Sequence, residues 1–352
     1  MTSPRLFTSA ALVGSVVAML SAPAAFADVK LNGSGASFPA PIYAKWFKDF
    51  SKETKGIRVD YQSKGSGAGI QDLINGVVDF AGSDAAMNDE EIAKVEQGVV
   101  LLPMTAGEVV IAYNLEGVDE LRLPRDVYPA IFGGTITRWN DPKIVAANPG
   151  VELPDEAITV VVRSDSSGTS YVFTGHLSAV SEEFKNTVGK AKAPNWPSSD
   201  KIIKAPKNDG VTAQIKQIPG SIGYIEYGFA KLTGQPTALL ENQQGKFIAP
   251  GPEGGAATLA SIRFPDATLP VSGAPDLRAW AWDPEGADDY PIVSMTWLLL
   301  YHDQDDDKAE ALHKLVNYLT SDEAQGQADG LGYIPLPAAV TEKVQAALSF
   351  VK

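Results

Sequence analysis

The chain has 352 residues, a formal net charge of -14 and no cysteine. A balance this acidic argues against nucleic acid and anionic membrane as partners, but leaves open a small anion held by local donors. Without cysteine there is no disulfide and no lipid anchor through a thiol, so ordinary cores must hold what this length predicts to be two domains or one large one.

Residues 1–27, MTSPRLFTSAALVGSVVAMLSAPAAFA, carry Arg5 as their only charge, then a short apolar run, then small residues ending in AFA. That order predicts a cleaved secretory signal peptide and a mature chain starting at Asp28, exported from the cytoplasm. No later apolar run reaches the roughly 18 residues a spanning helix needs. The longest, YPIVSMTWLLLY (290–301), reads as a buried strand.

Helical spacing of Ile42, Tyr43, Trp46, Phe47 and Phe50 predicts an amphipathic helix over 41–53, with Pro39 and Pro41 at its start. A strand at 57–62, a short helix at 68–76 and a strand within 77–85 follow. VVLLPMTAGEVVIAYN (99–114) reads as two strands broken at Pro103. Helices are expected at 125–134 and 169–180, with a strand at 157–165 between them. Residues 210–230 read as a helix, a Pro-Gly turn and a strand. Residues 246–280 are rich in Gly and Pro and show no clear period. Helices near 308–319 and 338–349 complete the chain. Strands alternating with helices mean an α/β protein with a parallel or mixed sheet.

The acidic run HDQDDDKAE (302–310) fails as a calcium loop: counting from Asp303, Lys308 stands where the EF-hand needs glycine. His176, His302 and His313 match no zinc spacing, and no P-loop or dinucleotide fingerprint is present. No metal and no cofactor is expected.

Three glycine–serine loops stand above this background: GSGASF (33–38), GSGAG (65–69) and SSGTS (166–170), each just ahead of a predicted helix. The first turn of a helix leaves N–H groups unpaired, and these favour an anion that glycine lets come close. Such residues also serve as ordinary caps and turns, so one loop alone carries little. Arg163 beside the third loop suits an oxyanion because its planar fork offers two hydrogen bonds. Asp84, in FAGSDAA, is ambiguous: an Asx-turn residue, or a carboxylate facing an anion. In the second case it accepts a proton carried by the ligand. It then welcomes phosphate and rejects fully ionised sulfate, which leaves two acceptors facing each other.

With these residues in view, the chain resembles the PstS family, the periplasmic phosphate-binding proteins of phosphate ABC transporters. The stretches that carry the likeness are LNGSGASFPAPIYAKWFKDFSKET, VDYQSKGSGAGIQDLINGVVDFAGSDAAM, RSDSSGTSYVFTGHLS, PGSIGYIEYGFA and YPIVSMTWLLLY. They span essentially the whole mature chain. The resemblance implies an α/β, two-lobed Venus flytrap fold with a two-strand hinge, one lobe formed by 28–112 plus 292–352 and the other by 113–291. It implies phosphate ligands at Ser37, Phe38 (through its N–H), Ser66, Asp84, Arg163, Ser167, Gly168 and Thr169, with Asp165 holding the arginine. Residues 184–210 and 231–285, where the match is weakest, are expected on the outer face and need not touch the ligand.

The expected function is high-affinity capture of inorganic phosphate and delivery to the membrane permease subunits of the transporter, by a protein that is a monomer and not an enzyme. Three alternatives remain: a secreted phosphoesterase, a receptor of the same fold for another oxyanion, and a surface-exposed adhesion or matrix role. Arsenate carries the same proton as phosphate, so Asp84 does not disfavour it.

Overall fold

A computed structural model describes residues 28–352; the expected signal peptide lies outside the described residues. Eleven strands form an eight-stranded sheet and a small three-stranded one. They are β1 (Val29–Gly35), β2 (Ile57–Ser63), β3 (Phe80–Ser83), β4 (Val99–Asn114), β5 (Arg122–Leu123), β6 (Thr159–Arg163), β7 (Ile202–Ala205), β8 (Ser221–Glu226), β9 (Leu239–Glu241), β10 (Phe247–Ile248) and β11 (Val293–Tyr301). The large sheet runs β2-β1-β3-β11-β4-β8-β6-β7.

β4 ties this sheet together. Its residues up to Glu108 pair antiparallel with β11, and Val109–Asn114 pair antiparallel with β8. Every residue of it but Asn114 is buried, so it reads as an unbroken apolar run rather than an alternation. The expected break at Pro103 is absent. Thr105 pairs with Thr296 and Pro103 with Trp297, so Met104 has no opposite residue. This bulge absorbs the proline, which has no N–H to give the ladder, and the strand continues.

The two sides of β4 are built alike. β1 lies parallel to β2 and β3, and β6 lies parallel to β7 and β8. On one side the chain runs β1, helix Ala40–Glu53, β2, helix Ser66–Ile74, β3. On the other it runs β6, helix Gly168–Val180, β7, helix Lys207–Gln217, β8, with a short helix Glu182–Thr187 ahead of β7. Each half therefore presents strand-to-helix loops at the carboxyl ends of its parallel strands, where α/β sheets bind ligands.

Ordinary burial holds the halves. Ile42, Tyr43, Trp46, Phe47 and Phe50 form the inner face of the first helix, and Trp46 donates from Nε1 to the Ala324 carbonyl at 2.9 Å. Trp297 of β11 is fully buried and donates to the Leu277 carbonyl at 2.7 Å. Truncating either indole to alanine costs about 3–5 kcal/mol. The stretch 246–280, without visible period, holds β10 and a helix, Pro252–Ser261. Its sequence PEGGAATLAS is too poor in large apolar residues to show a stripe; Gly255, Thr258 and Leu259 are what it buries. Among the described residues no helix is long and apolar enough to cross a membrane.

Candidate functional site

The three glycine–serine loops converge. The Gly67 N–H donates to the Ser166 carbonyl at 2.9 Å, joining GSGAG to SDSSG across the two halves. A Cβ on Gly67 would sit 2.0 Å from Ser166 Oγ, and one on Gly65 (φ 100°) 2.3 Å from Asp165 Oδ2. One on Gly168 would lie 2.3 Å from Ser66 Oγ and 2.6 Å from Asp84 Oδ2. Glycine is thus required where the halves meet. Ion pairs bridge the same seam: Lys192 with Glu91, and Arg278 with Asp89 at 2.8 Å.

Unused donors point into this junction. Among the described residues, no protein acceptor takes the N–H groups of Phe38, Ser66, Gly168 or Thr169. The last two open the helix Gly168–Val180. Ser167 is its N-cap and accepts from the Ser170 N–H at 3.0 Å. Ser37, Ser66, Ser167 and Thr169 are all buried. Free N–H groups at a helix start, with buried hydroxyls beside them, form an anion seat. Open concavities also lie away from this junction. One lined by Val29, Lys55, Ile57 and Lys314 sits at the opposite ends of β1 and β2.

Arg163 ends β6 with its side chain 1% exposed. Nε and Nη2 donate to Asp165 Oδ1 and Oδ2 at 2.9 and 2.6 Å, and Nη1 donates to Thr169 Oγ1 at 3.2 Å. Asp165 Oδ1 also accepts the Lys207 N–H at 2.9 Å. Burial alone would raise the Asp165 carboxyl, but the hydrogen bonds and charge of Arg163 hold it below the usual range. One edge of the guanidinium is fixed by the acid, and the rest faces Thr169.

Asp84 follows β3 and is 1% exposed. Oδ1 accepts from Thr296 Oγ1 at 2.9 Å, and Ser66 Oγ lies 3.4 Å from Oδ2. Burial raises its carboxyl to about 7, against the Thr296 hydrogen bond and the Arg163 charge. Its Oδ2 lies against both Ser66 Oγ and the Gly168 backbone, so a buried carboxyl stands among these donors.

Sequence reasoning missed Asn208. Residues 184–210 were expected on the outer face, yet Asn208, on the first turn of the helix after β7, is fully buried and hydrogen-bonded to Ser37 and Thr169. Its loop, APKND, has no glycine–serine run. The two halves do repeat: the Asp84 N–H donates to Ser66 Oγ at 3.2 Å, and the Glu226 N–H donates to Asn208 Oδ1 at 3.0 Å. Asn208 thus stands in its half where Ser66 stands in the other. Thr296 was also missed, because only the sheet brings β11 beside β3.

Among the described residues no group of three or more His, Cys, Asp or Glu is arranged to hold a metal ion. His176 is hydrogen-bonded to Tyr128 Oη and the Trp282 carbonyl, both at 2.8 Å, and burial lowers it to about 4. In the acidic run, Lys308 pairs with Asp79.

A family model described as a PBP superfamily domain matches residues 20–323. The chain is 37% identical to the phosphate-binding protein PstS of Pasteurella multocida, over 90% of this chain and 89% of that one. It is 34% identical to that of Xylella fastidiosa, over 91% and 85%. Among solved structures, the periplasmic phosphate-binding protein PfluDING, bound with phosphate, matches with a TM-score of 0.72 at 22% identity, covering 90% of this chain and 93% of that one. A phosphate-binding protein from Stenotrophomonas maltophilia matches with a TM-score of 0.67 at 20% identity, with the same coverage. These structural likenesses carry the fold, a two-lobed α/β binding-protein architecture of the Venus flytrap type. The chain belongs to the PstS family of phosphate-binding proteins within the PBP superfamily.

Proposed function

We propose that this protein captures inorganic phosphate between its two halves and hands it to the permease subunits of a membrane ABC transporter. The observation that carries the reading is that, among the described residues, the N–H groups of Phe38, Ser66, Gly168 and Thr169 have no protein acceptor, while the buried acid Asp84 lies against Ser66 and Gly168. Ser37, Ser66, Ser167 and Thr169 donate through hydroxyls, and Arg163 supplies charge. Asp84 shares a proton with the ligand, which phosphate carries and sulfate lacks.

The lobes are 28–112 with 292–352, and 113–291. Ser37, Phe38, Ser66 and Asp84 come from the first; Arg163, Ser167, Gly168 and Thr169 come from the second. A ligand touching both favours the closed arrangement by its extra contacts there, and the strands joining the lobes act as the hinge. We place the working protein in the periplasm, as a monomer, after removal of residues 1–27.

Among the described residues, neither Ser167 nor His176 is arranged as half of a phosphoesterase's nucleophile–base pair. Ser167 Oγ accepts from a backbone N–H, and His176 is engaged with Tyr128 and Trp282. Turnover of p-nitrophenyl phosphate by purified protein tests that alternative: sustained, protein-dependent hydrolysis contradicts a binding-only role. Calorimetry with phosphate, arsenate and sulfate tests the ligand. The reading requires phosphate heat and no detectable sulfate heat at about pH 8.5, where the Asp84 carboxyl, raised to about 7, is ionised.

A further inference from the structure

We infer that Asn208 is a positioning residue that commits the Ser37 and Thr169 hydroxyls to donating toward the anion; this rests on the phosphate reading above. The orientation of its amide is fixed. The Glu226 N–H can only donate, so the oxygen facing it at 3.0 Å is Oδ1 and the other side is Nδ2. Nδ2 has two hydrogens. One goes to Ser37 Oγ at 3.0 Å and the other to Thr169 Oγ1 at 3.1 Å.

Each hydroxyl then has a second donor. Ser37 Oγ also accepts the Asn208 N–H at 3.2 Å, and Thr169 Oγ1 also accepts from Arg163 Nη1 at 3.2 Å. A hydroxyl has two lone pairs and one proton. With both lone pairs filled, neither can accept from a ligand, and each has only its proton to offer. No described protein acceptor takes either proton. Two groups that could otherwise turn either way become fixed donors, suited to an unprotonated phosphate oxygen. The one place for a ligand proton is left to Asp84.

Asn208 belongs to the same half as Thr169 and Arg163, whereas Ser37 belongs to the other. Ser37 is therefore committed only when the halves are together, which couples its donor role to closure.

The test is calorimetric titration of the full chain with inorganic phosphate, extended to millimolar phosphate by phosphorus NMR so that weak binding stays measurable. Asn208→Ala and the isosteric Asn208→Asp are compared in the wild-type and Ser37→Ala/Thr169→Val backgrounds, with thermal melts of each. Asn208→Ala is expected to weaken binding by about tenfold to a hundredfold in the wild-type background. In the doubly substituted background the loss should shrink below about threefold. Asn208→Asp, which puts an acceptor where Nδ2 stood, should bind no better than Asn208→Ala. A packing role would act in both backgrounds, so equal losses overturn the inference whatever the melts show. So does Asn208→Asp binding like wild type. A wild type that binds no phosphate overturns the phosphate reading itself, and the inference with it.

Discussion

Arg163 and Asp165, two residues apart, meet edge to edge: Nε and Nη2 of the arginine donate to the two carboxylate oxygens at 2.9 and 2.6 Å. In the proposed site, the acid so placed tempers and aims the guanidinium rather than opposing the ligand. Nη1 remains turned toward Thr169. Arg163→Ala should weaken phosphate binding by about 2–5 kcal/mol, the range for removing one partner of a buried, charge-assisted contact. Calorimetry reads this directly, and a loss well below about 1 kcal/mol would place Arg163 outside the ligand's reach.

The role proposed for Asp84 makes selectivity pH-dependent. Burial raises its carboxyl to about 7. Below that pH it carries its own proton and can donate to sulfate; above it, it can only accept. Discrimination against sulfate should therefore narrow as pH falls from about 8.5 to about 5.5. Asp84→Asn can donate at every pH. It should bind sulfate with little pH dependence, and lose less in phosphate affinity than it gains in sulfate binding. Sulfate heat that stays undetectable for Asp84→Asn would sink this account of selectivity.

Glu108 and Glu226 are buried acids near the junction, and burial raises both carboxyls well above 4.5. Glu108 Oε1 and Glu226 Oε2 have no hydrogen-bond partner among the described residues. The folded state holds these protons to higher pH than the unfolded state does. Their stabilising contribution is thus full below about 4.5 and is lost as pH rises toward the folded values. Glu108→Gln and Glu226→Gln should raise Tm at about pH 8 and leave it nearly unchanged at about pH 4. A gain of equal size at both pH values would contradict the assignment.

Gly168 marks how closely the halves approach. Gly168→Ala places a methyl 2.3 Å from Ser66 Oγ, so it should weaken phosphate binding by more than about tenfold. The ligand-free protein, free to open, should melt near the wild-type temperature. Unchanged affinity would mean that the halves need not meet here.

Much of this was legible from periodicity. The first helix announced itself through Ile42, Tyr43, Trp46, Phe47 and Phe50, and the buried strand at 290–301 through its apolar run. What escaped depends on tertiary context. Pro103 signals a break, but a bulge in its pairing with β11 keeps β4 whole. The helix Pro252–Ser261 is held by small residues that show no stripe. Asn208 is polar, follows a lysine and opens a helix, as many surface residues do. Only the packing of β6, β7 and β8 brings it to Thr169, and only the meeting of the halves brings it to Ser37. The three glycine–serine loops were visible as separate features; their convergence was not.

The central claim is that one phosphate is held between the halves by these donors and Asp84. Its most direct test is isothermal calorimetry on protein unfolded, stripped of ligand and refolded, titrated with phosphate and then with sulfate at about pH 8.5, above the Asp84 carboxyl at about 7. A saturable phosphate isotherm with one site per chain, and no sulfate heat, is the predicted result. Sulfate binding comparable to phosphate, or no phosphate binding by correctly refolded protein, would contradict it.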